Sequence, residues 1–77
     1  MTLQEVTDAI ETFGNNNVRL ALTENRVIIG VLQNAYSGDP SDPKGSALDY
    51  FYVRRIDVPN NPTEKYDCQD VISIDEQ

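Results

Sequence analysis

The chain has 77 residues, of which thirteen are acidic and six are basic, so its net charge at pH 7 is −7. This length allows one small domain, and no apolar run approaches the roughly 20 residues that a membrane-spanning helix needs. The absence of histidine excludes His-based general acid–base catalysis and His-containing metal sites. The negative charge opposes non-specific attraction to nucleic acids or anionic membranes, although the few cations can still gather on one face.

The first predicted element is a helix from Thr2 to Phe13. Thr2 and Glu5 have the spacing of a capping box, and apolar residues three and four positions apart form one stripe. Gly14 is expected at the left-handed position that ends the helix. Because the stripe is short and one-sided, we expect the helix to lie on a sheet. Its polar face lacks lysine and arginine, which disfavours a membrane-surface role.

A β-hairpin is predicted next. Residues Val18 to Leu22 alternate between apolar and polar side chains, which is typical of a strand with one buried face. Glu24-Asn25 follows as the turn, since asparagine tolerates the positive φ of tight turns. The second strand, Arg26 to Leu32, is apolar at nearly every position, so we expect cover on both of its faces. Gly30 within it indicates a bend or a close backbone approach.

The stretch from Gln33 to Ala47 is predicted to be a long surface loop, because two Asp-Pro pairs and two glycines disfavour helix and strand there. Such a loop is either a plain surface insertion or a functional segment. Tyr36 at its base either packs or stacks on a nucleic-acid base. Asp39 and Asp42 are expected to form turns before proline, since the spacing of a calcium-binding loop is missing.

Three more strands are predicted after this loop. The aromatic and β-branched run Leu48–Val58 favours an extended conformation. Arg54 and Arg55 lie within it, and neighbouring strand residues point to opposite faces. Each arginine is therefore either solvated or ion-paired, or else turned towards a ligand. Short strands are predicted at Lys65–Cys68 and Val71–Asp75.

No catalytic constellation is found in the sequence. Cys68 is the single cysteine, so no intrachain disulfide can form, and no histidine is present to activate its thiol. No glycine pattern for phosphate binding follows a strand. We therefore expect no enzymatic activity and no cofactor. The N-terminus has no basic-then-apolar signal pattern, so we expect a cytoplasmic protein.

The predicted order of one helix and five strands resembles the Sm/LSm family, including its bacterial Hfq branch, over nearly the whole chain. Residues Ile28–Leu32 (IIGVL) are similar to the VxGxL run of the first Sm motif. Asp49 stands where the family has an asparagine that helps to hold a base. Tyr66-Asp67-Cys68 stands where the second motif has Ile-Arg-Gly.

The resemblance implies one domain over residues 1–77, built as a helix followed by a five-stranded, strongly bent antiparallel SH3-like or Sm-like barrel. It also implies a homo-oligomeric ring that binds RNA or single-stranded DNA. Two family positions carry carboxylates here, so the usual uridine pocket is altered. The candidate nucleic-acid site comprises Tyr36, Lys44, Asp49, Arg54 and Arg55.

Two other functions stay open from the sequence. The first is a small β-barrel module for protein–protein assembly that binds no nucleic acid. The second is an acidic protein that competes with nucleic acid for a basic partner. For the ring, we expect the last strand, Val71–Asp75, to pair with the short fourth strand of a neighbouring subunit, because unpaired sheet edges associate.

Overall fold

A computed structural model describes residues 1–41 and 47–77 of the chain. It contains an N-terminal helix and five strands, with a short 3-10 helix before the last strand. In chain order the elements are α1 (Leu3–Phe13), β1 (Val18–Leu22), β2 (Arg26–Tyr36), β3 (Tyr50–Arg55), β4 (Thr63–Asp67), the 3-10 helix (Cys68–Asp70) and β5 (Val71–Glu76). None of the helices in the described ranges is long and apolar enough to cross a membrane.

The five strands form one antiparallel sheet in the order β4-β3-β2-β1-β5. The prediction of a mainly β fold with an N-terminal helix is confirmed. The predicted closed SH3-like or Sm-like barrel is not confirmed, because β4 and β5 are the two edges of the sheet and do not pair with each other. The fold therefore has two strand edges at opposite ends of one sheet.

The helix begins with the predicted capping box. The Glu5 N–H donates to Thr2 Oγ1 at 3.1 Å, and the Thr2 N–H donates to Glu5 Oε1 at 2.9 Å. Gly14 ends the helix with φ +54° and ψ −126°, a conformation that glycine adopts far more readily than other residues. The Gly14 N–H donates to the Ile10 carbonyl at 2.9 Å, so the last turn keeps a backbone partner.

The hydrophobic core lies between the helix and one face of the sheet. Val6 and Ala9 are the buried helix residues, and they join buried side chains from four strands and Cys68. The buried strand residues of this core are Val18, Leu20, Leu22, Ile28, Leu32, Phe51, Val53 and Val71. We call the opposite face of the sheet, turned away from the helix, the outer face.

The hairpin turn between β1 and β2 follows the prediction. Leu22 pairs with Arg26, and the backbone has positive φ at both Glu24 (64°) and Asn25 (59°). The centre of β2 is buried on both faces, as predicted: Val31 points to the outer face and is still only 4% exposed. The start of the strand is not buried on both faces, since Val27 is 45% exposed.

Strand β2 is longer than predicted, since it continues through Tyr36 into the expected loop. A register shift between Leu32 and Ala35 accommodates the extra residues, after which Tyr36 pairs with Tyr50. Strand β3 is correspondingly shorter than the predicted Leu48–Val58 run.

The last two strands differ only slightly from prediction. Strand β4 starts at Thr63, directly after Pro62, and it ends before Cys68, which lies in the 3-10 helix. Strand β5 extends one residue past the predicted end at Asp75. Local sequence signals thus placed both strands within two residues.

Candidate functional site

The outer face of β3 carries aromatic side chains. Alternation along the strand sends Phe51 and Val53 into the core, where both are fully buried. Tyr50 and Tyr52 therefore point to the outer face, and both stay partly exposed. Tyr36 lies beside them, because it pairs directly with Tyr50 across the two strands.

These three rings pack against one another and form what we call the tyrosine surface (Tyr36, Tyr50 and Tyr52). The rings of Tyr36 and Tyr50 are stacked, with centroids 5.4 Å apart and planes 25° apart. Tyr52 meets both of them edge-on, at centroid distances of 6.1 and 6.0 Å. Tyr36 remains 42% exposed. The cluster is thus a preformed aromatic platform rather than a set of independently rotating side chains.

Two cations border the tyrosine surface. The Nζ atom of Lys65 lies 4.6 Å from the centroid of the Tyr50 ring, within the range of a cation–π contact. Arg54 is exposed and follows Tyr52 by two residues, so it points to the same face. One carboxylate is also near, since Asp67 pairs with Tyr50 from β4. The predicted site contained Tyr36 and Arg54 but missed Tyr50, Tyr52 and Lys65.

Arg55 does not belong to the tyrosine surface. Its guanidinium forms ion pairs with Asp57 at 2.9 Å and with Glu64 at 3.2 Å. The hydrogen bond from Arg55 lowers the pKa of Asp57, and hydrogen bonds from Tyr66 and Arg55 lower the pKa of Glu64. The sequence left open whether Arg55 is solvated or ion-paired, or turned towards a ligand. In the structure it is ion-paired.

Tyr66 completes this polar cluster on the core side of the sheet. Its hydroxyl donates to Glu64 Oε1 at 2.6 Å, and its ring packs beside Phe51 with centroids 6.1 Å apart. Burial, together with the hydrogen bond to Glu64, raises the pKa of Tyr66 to about 12. Its ring therefore packs against the core, whereas the rings of the tyrosine surface lie on the outer face.

Asp49 closes the base of the loop between β2 and β3. Its Oδ1 atom accepts a hydrogen bond from the Gly38 N–H at 2.7 Å, and its carbonyl accepts one from the Cys68 N–H at 2.9 Å. Gly38 lies so close to the Leu48 main chain that a Cβ would collide with it. The carboxylate of Asp49 is thus engaged by the protein itself, and Lys44 lies outside the described residues.

The aspartates of the loop after β2 were predicted to form turns. Asp39 Oδ1 accepts hydrogen bonds from the Ser41 N–H and hydroxyl, which lower its pKa and make the predicted turn. Asp42 lies outside the described residues.

Burial raises the pKa of the Cys68 thiol, which disfavours its reactive thiolate form. Within the ranges 1–41 and 47–77, no three potential metal-ligating side chains of His, Cys, Asp or Glu converge.

No protein-family model, no curated protein and no solved structure matches the chain. The resemblance to the Sm family thus remains a likeness of residue pattern, and any functional inference depends on the geometry of the outer face.

Proposed function

We propose that this protein binds RNA or single-stranded DNA on the tyrosine surface, as a homo-oligomer with Sm-like strand pairing between subunits. The observation that carries the proposal is the packed Tyr36, Tyr50 and Tyr52 cluster on the outer face, bordered by Lys65 and Arg54. Stacking on aromatic rings typically contributes about 1–3 kcal/mol per base and tolerates any base.

Electrostatics favour weak binding by each subunit. The chain carries a net charge of −7, so within residues 1–41 and 47–77 the attraction of phosphates to the tyrosine surface depends on the local pair Lys65 and Arg54. For single strands the slope of log K against log salt is about −0.7 per phosphate contact, so two contacts give a shallow dependence. An oligomer would repeat the site and raise avidity without any new contact.

The two free sheet edges support the oligomeric part of the proposal. Strands β4 and β5 lie at opposite ends of the sheet, so pairing of β5 from one subunit with β4 from the next is a head-to-tail contact. Such a contact produces a ring when the rotation between subunits closes. Pairing of this kind would also continue the sheet around the barrel that the Sm resemblance implies.

A second candidate function is protein–protein assembly without nucleic acid. The observation that favours it is Ile72 on the edge strand β5, which is 65% exposed. A large apolar side chain on an unpaired edge suits a protein contact, and the acidic charge does not oppose it. Self-association is common to both candidates, so nucleic-acid binding is what discriminates between them.

The test is fluorescence anisotropy with labelled oligo-U and oligo-A at low salt. We expect the unmodified protein to bind both, and the double variant Tyr50→Leu/Tyr52→Leu to lose at least about tenfold in affinity, since two stacking faces are removed. Tyr66→Leu is the matched control, because it also removes a tyrosine ring, but one that packs against the core and not on the outer face. Absence of binding by the unmodified protein, or equal binding by the double variant, would favour the assembly function.

A further inference from the structure

A groove lies between α1 and the end of β2. Strand β1 pairs with β2 only as far as Gly30, so residues 31–36 of β2 have a strand neighbour on the β3 side alone. The helix runs beside this half of the strand and leaves a cavity of about 360 Å³. The cavity is lined by Thr7, Ile10, Glu11, Asn34, Ala35 and Tyr36.

The groove adjoins the tyrosine surface through Tyr36. Tyr36, whose ring stacks on Tyr50, is also one of the residues that line the groove. A single strand that stacks on the tyrosine surface can therefore place a neighbouring base in the groove. Its volume lies at the lower end of the usual range for small-molecule sites, roughly 300–1,000 Å³, which suits a ligand the size of one base.

Two polar side chains in the groove have no hydrogen-bond partner among the described residues. They are the carboxylate of Glu11 and the amide of Asn34, and both residues are exposed. Thr7 differs from them, because its hydroxyl already donates to the Leu3 carbonyl at 2.8 Å. The groove thus offers a double acceptor and an amide that donates and accepts, with the aromatic residue Tyr36 at its border.

We infer that this groove binds a guanine base, an inference that rests on the proposed function. A carboxylate accepts two parallel N–H bonds, and the Watson–Crick edge of guanine presents N1–H and the N2 amino group side by side. The other bases do not present two adjacent donors. Adenine and cytosine have an acceptor nitrogen beside their amino group, and uracil has a carbonyl on each side of its N3–H. The Glu11 carboxylate would therefore repel an acceptor atom of each of these bases. The amide of Asn34 can donate to guanine O6, and Tyr36 supplies a face for stacking.

The first test compares short oligouridines that carry one central guanine, adenine or inosine. We expect the unmodified protein to bind the guanine oligomer about tenfold more tightly than the adenine oligomer, since a bidentate base contact discriminates by this order. Inosine lacks the N2 amino group, so it should lose most of the preference. Glu11→Gln should abolish the preference and leave binding of plain oligouridine in place.

Glu24→Gln is the matched control, because it removes the same charge at the hairpin turn, outside the residues that line the groove. It should keep the preference for guanine. Equal affinity for the guanine and adenine oligomers, or a preference that survives Glu11→Gln, would overturn the inference.

A second measurement separates this inference from the proposed function. The ¹⁵N-labelled protein is titrated with GMP and with AMP, and the amide signals of Thr7, Asn34 and Ala35 are followed by NMR. Shifts with GMP but not with AMP support a guanine site even if no oligonucleotide binds, and the groove would then take the free nucleotide. If oligonucleotides bind but neither the GMP titration nor the guanine oligomer shows a preference, the groove inference fails and the proposed function stands.

Discussion

Gly30 of β2 lies directly against the main chain of Arg54 on β3. A Cβ atom at position 30 would stand 2.5 Å from the Arg54 carbonyl oxygen and 2.6 Å from Val53 Cγ1. Gly30 is also the residue at which β2 changes neighbours, since it pairs with Val18 on one side and with Arg55 on the other. The missing side chain lets β3 approach, which holds Arg54 on the outer face near the tyrosine surface.

Gly30→Ala should therefore destabilise the protein. Added atoms in a well-packed site typically cost about 1–3 kcal/mol, and here one of the colliding groups is main chain that cannot rotate away. Urea denaturation should show the lower free energy of unfolding. The same substitution in a Val53→Ala background should still be destabilising, because the Arg54 carbonyl remains. Full rescue by Val53→Ala would show that only the side-chain contact matters.

Glu24→Gly should raise stability. Glu24 has φ of 64°, a left-handed conformation that costs a non-glycine residue about 1–2 kcal/mol. Glycine removes that cost but loses more conformational freedom on folding, so the net gain should be about 0.5 kcal/mol. Glu24→Ala is the control, since it removes the charge but keeps Cβ. A gain of equal size in Glu24→Ala, measured by thermal or urea unfolding, would assign the effect to charge instead.

Features that depend on adjacent residues were predictable from the sequence. The pair Thr2 and Glu5 predicted the helix start, and Glu24-Asn25 predicted the hairpin turn, because the determinants of a cap or a turn lie within four residues. Gly30 was likewise predicted to mark a bend or a close backbone approach, and the structure has a close approach there. The neighbour that it approaches, the Arg54 main chain, could not be named from the sequence.

The candidate site was less predictable, since it depends on pairing between distant strands. Tyr36 faces Tyr50 only because of the register shift that follows Leu32, and no local signal fixed that shift. Lys65 lies above the Tyr50 ring because β4 pairs with β3 in the register that sets Lys65 opposite Tyr52, and the sequence does not specify that register. Closure of the sheet also depends on long-range geometry, and period-two patterns along single strands carry no information about it.

Stability should depend on pH through the ion pairs of Arg55. The folded-state pKa values of Asp57 and Glu64 are lowered below their ordinary values of 3.8 and 4.5. A lowered pKa stabilises the fold above the unfolded-state value, and the contribution is lost as pH falls through the folded-state value. The stability difference between the unmodified protein and Arg55→Gln should therefore be largest near neutral pH and shrink below pH of about 4.

Urea denaturation of both proteins over an acidic pH series measures this difference. Arg54→Gln is the matched control, because Arg54 forms no ion pair within the described residues. Its stability difference should be small and nearly constant with pH. If the stability difference between Arg55→Gln and the unmodified protein grew as the pH fell, the pKa values of these carboxylates would not be lowered in the folded state.

Self-association should depend on the exposed edge residue Ile72. We expect the unmodified protein to be oligomeric at micromolar concentration, and Ile72→Asp to weaken association at least tenfold. The monomer fold should persist, since this side chain is 65% exposed. Val27→Asp is the control, because Val27 is also exposed but lies on β2 rather than on an edge strand. Light scattering that reports a monomer for the unmodified protein would contradict edge pairing.

The two adjacent arginines should have different effects on nucleic-acid binding. Arg54 is exposed beside the tyrosine surface, whereas Arg55 is held by Asp57 and Glu64. Arg54→Ala should remove one phosphate contact and make the slope of log K against log salt shallower by about 0.7. Arg55→Ala should leave that slope unchanged and affect only stability. Anisotropy with labelled oligo-U over a salt series measures both slopes. Equal slopes for the two variants would mean that phosphates do not contact Arg54, and that the cations bordering the tyrosine surface do not guide binding.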